Sequence, residues 1–239
     1  QKVLFEDKGI MDYQQAWDYQ ESLLADNVRI KSAKWSAARN DDVITTEEQT
    51  THHLLFVEHP PVYTLGKSGK MDNVLLNEQQ LSDKHLGFYR INRGGDVTFH
   101  GPGQLVAYPI FDLEKFYTDI GKYMRALEEV IILTLRDYGL KGERSTGETG
   151  VWLNPGVLGK ERKICAIGIR CSRWITMHGF AFNVNTNLDY FNNIVPCGIR
   201  NKKVTSLQKE LSQEVDLDEV KEKVKNYFKQ IFELEFISP

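Results

Sequence analysis

The segment that most restricts the fold is RGGDVTFHGPGQ, residues 93–104, which places four glycines and a proline between two apolar runs. Gly94 and Gly95 allow backbone conformations that other residues avoid. No helix or strand runs unbroken through a segment of this composition. We therefore expect residues 88–92 and 105–110 to be two strands joined by a loop at 93–104.

The same segment carries side chains that donate, accept or titrate, namely Arg93, Thr98, His100 and Gln104. A plain connector needs none of them, so the composition indicates a binding loop. The segment matches neither GxxxxGK[ST] nor a GxGxxG followed by a helix, so a nucleotide site is not favoured. His100, like His178 further along, is either a general base or, as a lone histidine more often is, a structural residue.

Composition excludes several classes of protein. The 239 residues are 41% hydrophobic and carry a net charge of −3, which fits one domain over 1–239 with a sizeable core and predicts no nucleic-acid partner. No apolar run is long enough to span a membrane, and the first residues lack the layout of a signal peptide. Three cysteines give no disulfide framework and no CxxC pair, so we expect a reduced, cytoplasmic protein with no metal site.

Helices and strands are mixed along the chain. Periods of three and four with capping residues predict the helices, and short apolar runs between glycines and prolines predict the strands. The predicted helices begin at Asp12 and span 120–138 and about 216–232; further strands lie at 53–58, 62–65, 150–153, 164–170 and 177–183, and a polar surface loop lies at 39–51. Because helices do not strictly separate the strands, we expect an α+β (mixed α/β) fold rather than a doubly wound one.

Cys197 stands in the sequence IVPCGIR, between a proline and a glycine. Most free cysteines are buried and act as small apolar side chains. Proline and glycine on either side make the interior of a helix or strand an improbable setting, so a turn with an accessible thiol is the competing interpretation.

Lys163 directly precedes the apolar run ICAIGI. In a regular strand Lys163, Cys165, Ile167 and Ile169 would face one way, and Ile164, Ala166 and Gly168 the other. Most lysines are simply solvated. A lysine at the mouth of a buried strand is instead partly desolvated, and it then serves as an acid or base and favours the thiolate of a nearby cysteine.

Four blocks, in order, resemble the lipoyl (octanoyl) transferases, of the biotin and lipoate protein ligase superfamily. They are HPPVYTLGKSG at 59–69, RGGDVTFHGPGQLVAYPI at 93–110, KICAIGIRCSRWITMHGFAFNV at 163–184 and IVPCGI at 194–199. Together they span most of residues 53–199. The resemblance implies a ligase-like catalytic domain, with a mixed sheet flanked by helices and a smaller second sheet placed toward the C-terminus.

The resemblance also implies a reaction and its residues. An octanoyl group moves from octanoyl-acyl carrier protein to a lysine of the lipoyl domains of 2-oxoacid dehydrogenase E2 subunits and of glycine cleavage H protein, with no cofactor. Cys197 matches the nucleophile that carries the acyl thioester, and Lys163 matches its acid/base partner. The residues that match substrate-binding positions are Arg93, Gly94, Gly95, Asp96, Val97, Thr98, Phe99 and His100, then Ala166, Ile167 and Gly168, then Gly179, Phe180 and Ala181. Cys165 and Cys171 stand where the family often has small or branched apolar residues, and we interpret both as packing residues. Since Cys165 would share a face with Lys163, a regulatory thiol, or the nucleophile itself, is the alternative interpretation of Cys165.

Two other functions stay open at this point. An ATP-dependent lipoate or biotin ligase has the same fold but needs no nucleophilic cysteine. A non-catalytic relative would only bind acylated carrier protein or lipoyl domains, with Arg200, Lys202 and Lys203 as an attractive surface for acidic domains. Cys197 and the HGPGQ ending of the glycine-rich segment argue against the ligase, and the presence of both Lys163 and Cys197 argues against the non-catalytic relative.

Overall fold

The computed structural model describes residues 1–39, 48–195 and 203–237. These residues form a large sheet with helices on both faces and a small sheet beside it. The strands are β1 (Lys2–Ile10), β2 (His52–Glu58), β3 (Val62–Leu65), β4 (Gly87–Arg90), β5 (Val97–His100), β6 (Gln104–Ile110), β7 (Val151–Leu153), β8 (Arg162–Ser172), β9 (Ile175–Asn183), β10 (Lys203–Val204) and β11 (Glu235–Ile237). The helices are α1 (Tyr13–Arg39), α2 (Glu78–Asp83), α3 (Ile120–Asp137), α4 (Leu207–Leu211) and α5 (Leu217–Phe232).

Within the described ranges, the large sheet has the order β10-β8-β9-β6-β2-β1-β11, and β7 pairs with β8. β8, β9, β6 and β2 pair antiparallel, whereas β1 is parallel to both β2 and β11. The small sheet has the order β4-β3-β5. The large sheet therefore mixes parallel and antiparallel pairs, as the family resemblance implies.

Alternating side chains cover the two faces of the large sheet with different helices. Leu54 and Phe56 of β2 pack into a core with α3 and α5, while Leu55 and Val57 pack with α1 on the other face. A strand that is buried on both faces has a continuous run of apolar residues in its sequence. Residues 54–57 of β2 form such a run. The face that α1 covers is the one that carries the candidate site.

Aspartates cap the principal helices. The Asp12 carboxylate accepts hydrogen bonds from the backbone N–H groups of Gln14 and Gln15, and Asp216 does the same for Asp218 and Glu219. These contacts satisfy N–H groups that have no partner inside the helix. The predicted starts of α1 and α5 are thereby confirmed.

The structure corrects several expectations. The segment 93–104 is not one loop, because Val97–His100 forms β5 and pairs with β3. The small sheet is built from residues 62–100, so it lies in the first half of the chain and not toward the C-terminus. Helix α1 continues to Arg39, and residues 40–47 of the predicted polar loop lie outside the described residues.

Candidate active site

A cavity lies between the small sheet, the start of α1 and strands β6, β8 and β9. Both apolar and polar side chains surround it. The lining residues are Tyr13, Arg93, Thr98, His100, Val106, Tyr108, Ala166, Gly168, His178, Gly179, Phe180 and Ala181.

Small residues on β8 and β9 form one wall of the cavity. In the register of the two strands Ala166 stands opposite Ala181, and Gly168 stands opposite Gly179. A Cβ on Gly168 would lie 2.8 Å from the carbonyl oxygen of Gly94. Glycine at 168 therefore permits the segment at 93–95 to pack closely over β8.

Strand β5 supplies another wall through alternate residues. Thr98 and His100 face the cavity, whereas Val97 and Phe99 pack into the apolar cluster beneath the small sheet. Two-residue alternation along a strand explains why half of this predicted binding segment points away. Ile167 on β8 likewise packs into the main core.

Arg93 and Asp96 hold the segment between β4 and β5 in place. The Arg93 guanidinium donates to the carbonyl oxygen of Gly94 at 2.9 Å and to the carbonyl and hydroxyl oxygens of Thr64 at 3.0 Å. The Asp96 carboxylate accepts from the backbone N–H of Val97 and the side-chain amide of Asn73. The backbone N–H of Gly94 donates to Ile169. The N–H groups of Gly94 and Val97 are therefore both bonded within the protein.

The two histidines at the cavity are neutral at pH 7. Burial, with a smaller effect of His59, lowers the pKa of His100 to about 3. Its Nδ1 lies 2.8 Å from the side-chain oxygen of Gln104. Burial also lowers the pKa of His178 to about 3, and the neighbouring arginines Arg93 and Arg170 contribute. These contacts favour a structural or shape-defining role over proton transfer for both rings.

A β-bulge at the start of β8 decides where Lys163 points. Val151 pairs with Cys165 while the next residue, Trp152, pairs with Lys163, so β8 carries one extra residue, Ile164. Ile164 and Cys165 are consecutive, yet both pack into the main core. The expectation that Lys163 shares a face with Cys165 and Ile167 is wrong.

The bulge places Lys163 on the face of β8 that carries Ala166 and Gly168. There its ammonium lies 4.6 Å from the centre of the Trp152 ring. Its Cε lies 3.6 Å from the position that a Cβ on Gly150 would take. Because Gly150 precedes β7 and lies against the Cys165 carbonyl, the lysine stem runs along β8 toward Ala166.

The three cysteines have different surroundings. Cys165 is fully buried, and burial raises its pKa well above the usual value, so its thiol is a packing group as expected. Cys171 is exposed, and the interpretation of it as a packing residue is wrong. Cys197, the predicted nucleophile, lies outside the described residues.

Eight of the fourteen predicted substrate-binding residues line the cavity, and the other six support the segments that form it. The eight are Arg93, Thr98, His100, Ala166, Gly168, Gly179, Phe180 and Ala181. Sequence reasoning did not predict Tyr13, Val106, Tyr108 or His178 as lining residues. The helix-capping signal at Asp12 placed Tyr13 at a helix start, but no local pattern shows that this turn covers a cavity. Contact with substrate stays a prediction for all fourteen.

Two negative observations apply to the described ranges alone. Among their side chains, no cluster of three or more His, Cys, Asp or Glu residues has a geometry that would hold a metal ion. Within those same ranges, every helix is too short or too polar to cross a membrane.

Comparison with known proteins gives a consistent result. The model of the lipoyl protein ligase A/B catalytic domain matches residues 12–229. An octanoyltransferase from Flavobacterium johnsoniae is 56% identical over 237 residues, which cover 99% of each chain. An octanoyltransferase from Christiangramia forsetii is 55% identical over 228 residues, which cover 95% of this chain and 94% of that one.

Among solved structures, a putative lipoate protein ligase from T. acidophilum with bound lipoic acid has a similar fold. The TM-score is 0.66 at 15% sequence identity, over 100% of this chain and 88% of the ligase. At this identity the likeness concerns the fold, and it confirms the ligase-like architecture that the sequence predicts.

Proposed function

This chain belongs to the lipoyl protein ligase A/B catalytic family as an octanoyltransferase, an enzyme of lipoate biosynthesis, and on that premise we propose its donor, intermediate and acceptor. The donor is octanoyl-acyl carrier protein. The intermediate is an octanoyl thioester on Cys197. The acceptors are lysines of lipoyl domains, in 2-oxoacid dehydrogenase E2 subunits and in glycine cleavage H protein.

The observation that carries the proposal is the position of Lys163 relative to the cavity. The bulge at Ile164 places the lysine on the cavity face of β8, three residues before Ala166. A regular strand would have buried the same side chain against the core. The arrangement suits an amine that acts on a group held between β8 and the small sheet.

One of the described residues that flank Cys197 in the sequence pairs with this lysine. Val195, two residues before Cys197, donates its backbone N–H to Asn73. After Cys197, Val204 pairs with Lys163 on β8.

The first half-reaction exchanges one thioester for another. Lys163, in its amine form, takes the proton of the Cys197 thiol, and the thiolate attacks the carbonyl carbon of the carrier-bound octanoyl group. The bond from that carbon to the carrier's sulfur breaks, and Lys163 returns the proton to the departing thiolate. The two thioesters have similar energies, so the exchange needs no ATP.

The second half-reaction forms an amide. The acceptor lysine attacks the carbonyl carbon of the Cys197 thioester and loses a proton to Lys163. The carbon–sulfur bond breaks, and the Cys197 thiolate leaves and takes up the proton. An amide is more stable than a thioester, which makes this half-reaction downhill, and one base serves both halves.

The cavity fits the hydrocarbon part of the donor. Ala166, Ala181, Gly168 and Gly179 leave a narrow space between β8, β9 and the small sheet. The T. acidophilum ligase was solved with lipoic acid, itself an eight-carbon acid, on the same fold. We place the octanoyl chain in this cavity, with its carbonyl toward Lys163.

A transfer assay without ATP tests the proposed function. Octanoyl-acyl carrier protein and an isolated lipoyl domain are mixed with the enzyme, and the acylated domain is measured by mass spectrometry. We expect transfer by the wild-type chain and by the Cys171→Ala variant, and no transfer by Cys197→Ala. A requirement for ATP, or full activity of Cys197→Ala, would instead support a ligase mechanism.

A further inference from the structure

The side chains that β8 and β9 contribute to the cavity wall change abruptly in size along the strands. Counted from the end of β8 near Lys163, the first two cross-strand pairs on the cavity side are Ala166 with Ala181 and Gly168 with Gly179. The next residue on β9 is His178, which lines the cavity and has its ring 6.5 Å from that of Tyr108, another lining residue. Two cross-strand pairs of alanine and glycine are therefore followed by a histidine with a large aromatic side chain.

An unusual backbone conformation places that ring in the cavity. His178 has φ of +57°, in the left-handed region, although it lies inside strand β9. Consecutive strand residues normally point to opposite faces. The His178 ring nevertheless lies 6.5 Å from the ring of Tyr108, on the face of the sheet that also carries Met177 and Ala181. Left-handed conformations strain residues with a Cβ and persist where the surroundings enforce them.

The surroundings of His178 do enforce its position. Its backbone N–H donates to the side-chain oxygen of Gln20, and its Nε2 lies 2.8 Å from the side-chain oxygen of Asn92. The residue is 2% exposed. Helix α1 thus holds the backbone of His178 and the segment after β4 holds its imidazole, which makes the residue a rigid part of the wall.

The distances along the strand match an eight-carbon chain. From Ala166 to Ile169, the partner of His178, three residues of an antiparallel strand rise about 10 Å. An extended octanoyl group has seven carbon–carbon bonds of about 1.5 Å each and spans about 9 Å. An acyl group with its carbonyl at the level of Ala166 therefore ends at the imidazole.

We propose that His178 closes the inner end of the acyl cavity and thereby sets the longest acyl chain that the enzyme transfers efficiently. This inference rests on the proposed function, since it takes the cavity to hold the acyl group of the donor. In it His178 determines specificity by its shape and position, and it takes no part in proton transfer.

The variant His178→Gly tests the proposal without imposing strain, because glycine adopts the left-handed conformation freely. The matched control is His85→Gly, which replaces an exposed histidine with φ of +52° outside the cavity. Octanoyl-, decanoyl- and dodecanoyl-acyl carrier protein are the probes, with transfer to a lipoyl domain as the reaction. Thermal unfolding shows that each variant is folded.

We expect His178→Gly to raise the ratio of kcat/KM for decanoyl over octanoyl donors by about tenfold, because two more methylenes are buried. His85→Gly should keep the wild-type ratio. If His178→Gly does not fold, His178→Asn gives the same reading with a smaller increase, since asparagine tolerates the left-handed region.

Two results would overturn the inference, and they are distinguishable. A folded, transfer-competent His178→Gly with the wild-type chain-length ratio contradicts the role of His178 alone. A wild-type enzyme that transfers none of the three acyl groups contradicts the proposed function, and the inference fails with it.

Discussion

The ammonium of Lys163 lies 4.6 Å from the centre of the Trp152 ring, across the paired strands β7 and β8. The contact exists because the bulge at Ile164 turns the lysine away from the main core. A cation held over an indole face is fixed in position while keeping hydrogens available for other partners. The pair therefore orients the lysine on the cavity side of the sheet.

Replacement of Lys163 by arginine should abolish most of the transfer activity. Arginine keeps the positive charge and can stack on Trp152, but it does not release a proton near neutral pH. Loss of a general acid–base group typically lowers a rate by about 10²–10⁴-fold. The measurement is kcat/KM for octanoyl transfer, with Lys160→Arg, an exposed lysine of the same β7–β8 connection, as control. Activity of Lys163→Arg within about threefold of the control would exclude proton transfer by this residue.

Glu128 should stabilise the turn that borders Lys163. Its carboxylate is fully buried, accepts from the backbone N–H of Gly150 at 3.1 Å, and pairs with Arg125 and Arg144. We expect Glu128→Gln to lower the free energy of unfolding by about 1–3 kcal/mol, because two arginines lose a charged partner. The matched control is Glu129→Gln, because the side chain of Glu129 is 38% exposed. We expect it to change the free energy of unfolding by less than about 1 kcal/mol. Urea unfolding measures both, and equal effects would contradict this account.

Glu210 should make stability depend on pH in the acid range. Hydrogen bonds from Arg162 hold the pKa of its carboxyl below the ordinary value of 4.5. A carboxyl with a lowered folded-state pKa stabilises the fold above its unfolded pKa, and that contribution is lost as the pH falls through the folded value. The wild type should therefore lose more stability than Glu210→Gln when the pH falls below about 4.5. Parallel decreases in the unfolding temperature of the two proteins would contradict this.

Cys165 should resist alkylation in the native protein. It is fully buried with a raised pKa, and the thiolate is the form that reacts. Iodoacetamide at pH 8 should modify the exposed Cys171 and leave Cys165 unmodified, whereas in urea both react. Peptide mapping by mass spectrometry distinguishes them. Equal labelling of the two in the folded state would show that the Cys165 environment opens readily.

Local patterns predicted most of the fold. Apolar periodicity located α3, and capping aspartates located the starts of α1 and α5, because these signals depend on residues within one or two turns. Strand β1 and the short strands β10 and β11 went unpredicted. Their pairing partners lie far away in the chain, so their own residues carry little of the information.

Local patterns likewise predicted only part of the candidate site. Two-residue alternation explains which residues of β5 and β8 face the cavity once the strands are known. Neighbouring strands and α1 set the bulge at Ile164 and the left-handed conformation of His178. No local sequence pattern predicts either feature. The family resemblance therefore predicted the chemical role of Lys163, whereas only the structure showed which face of β8 carries its side chain.

The most direct measurement is to look for the acyl-enzyme itself. The wild-type chain is incubated with octanoyl-acyl carrier protein and without an acceptor, digested at low pH, and mapped by mass spectrometry. We expect one octanoyl group, on Cys197, that disappears when a lipoyl domain is added and appears as an amide on the lysine of that domain. An octanoyl group on Cys165 or Cys171, or efficient transfer with no acylated cysteine, would contradict it.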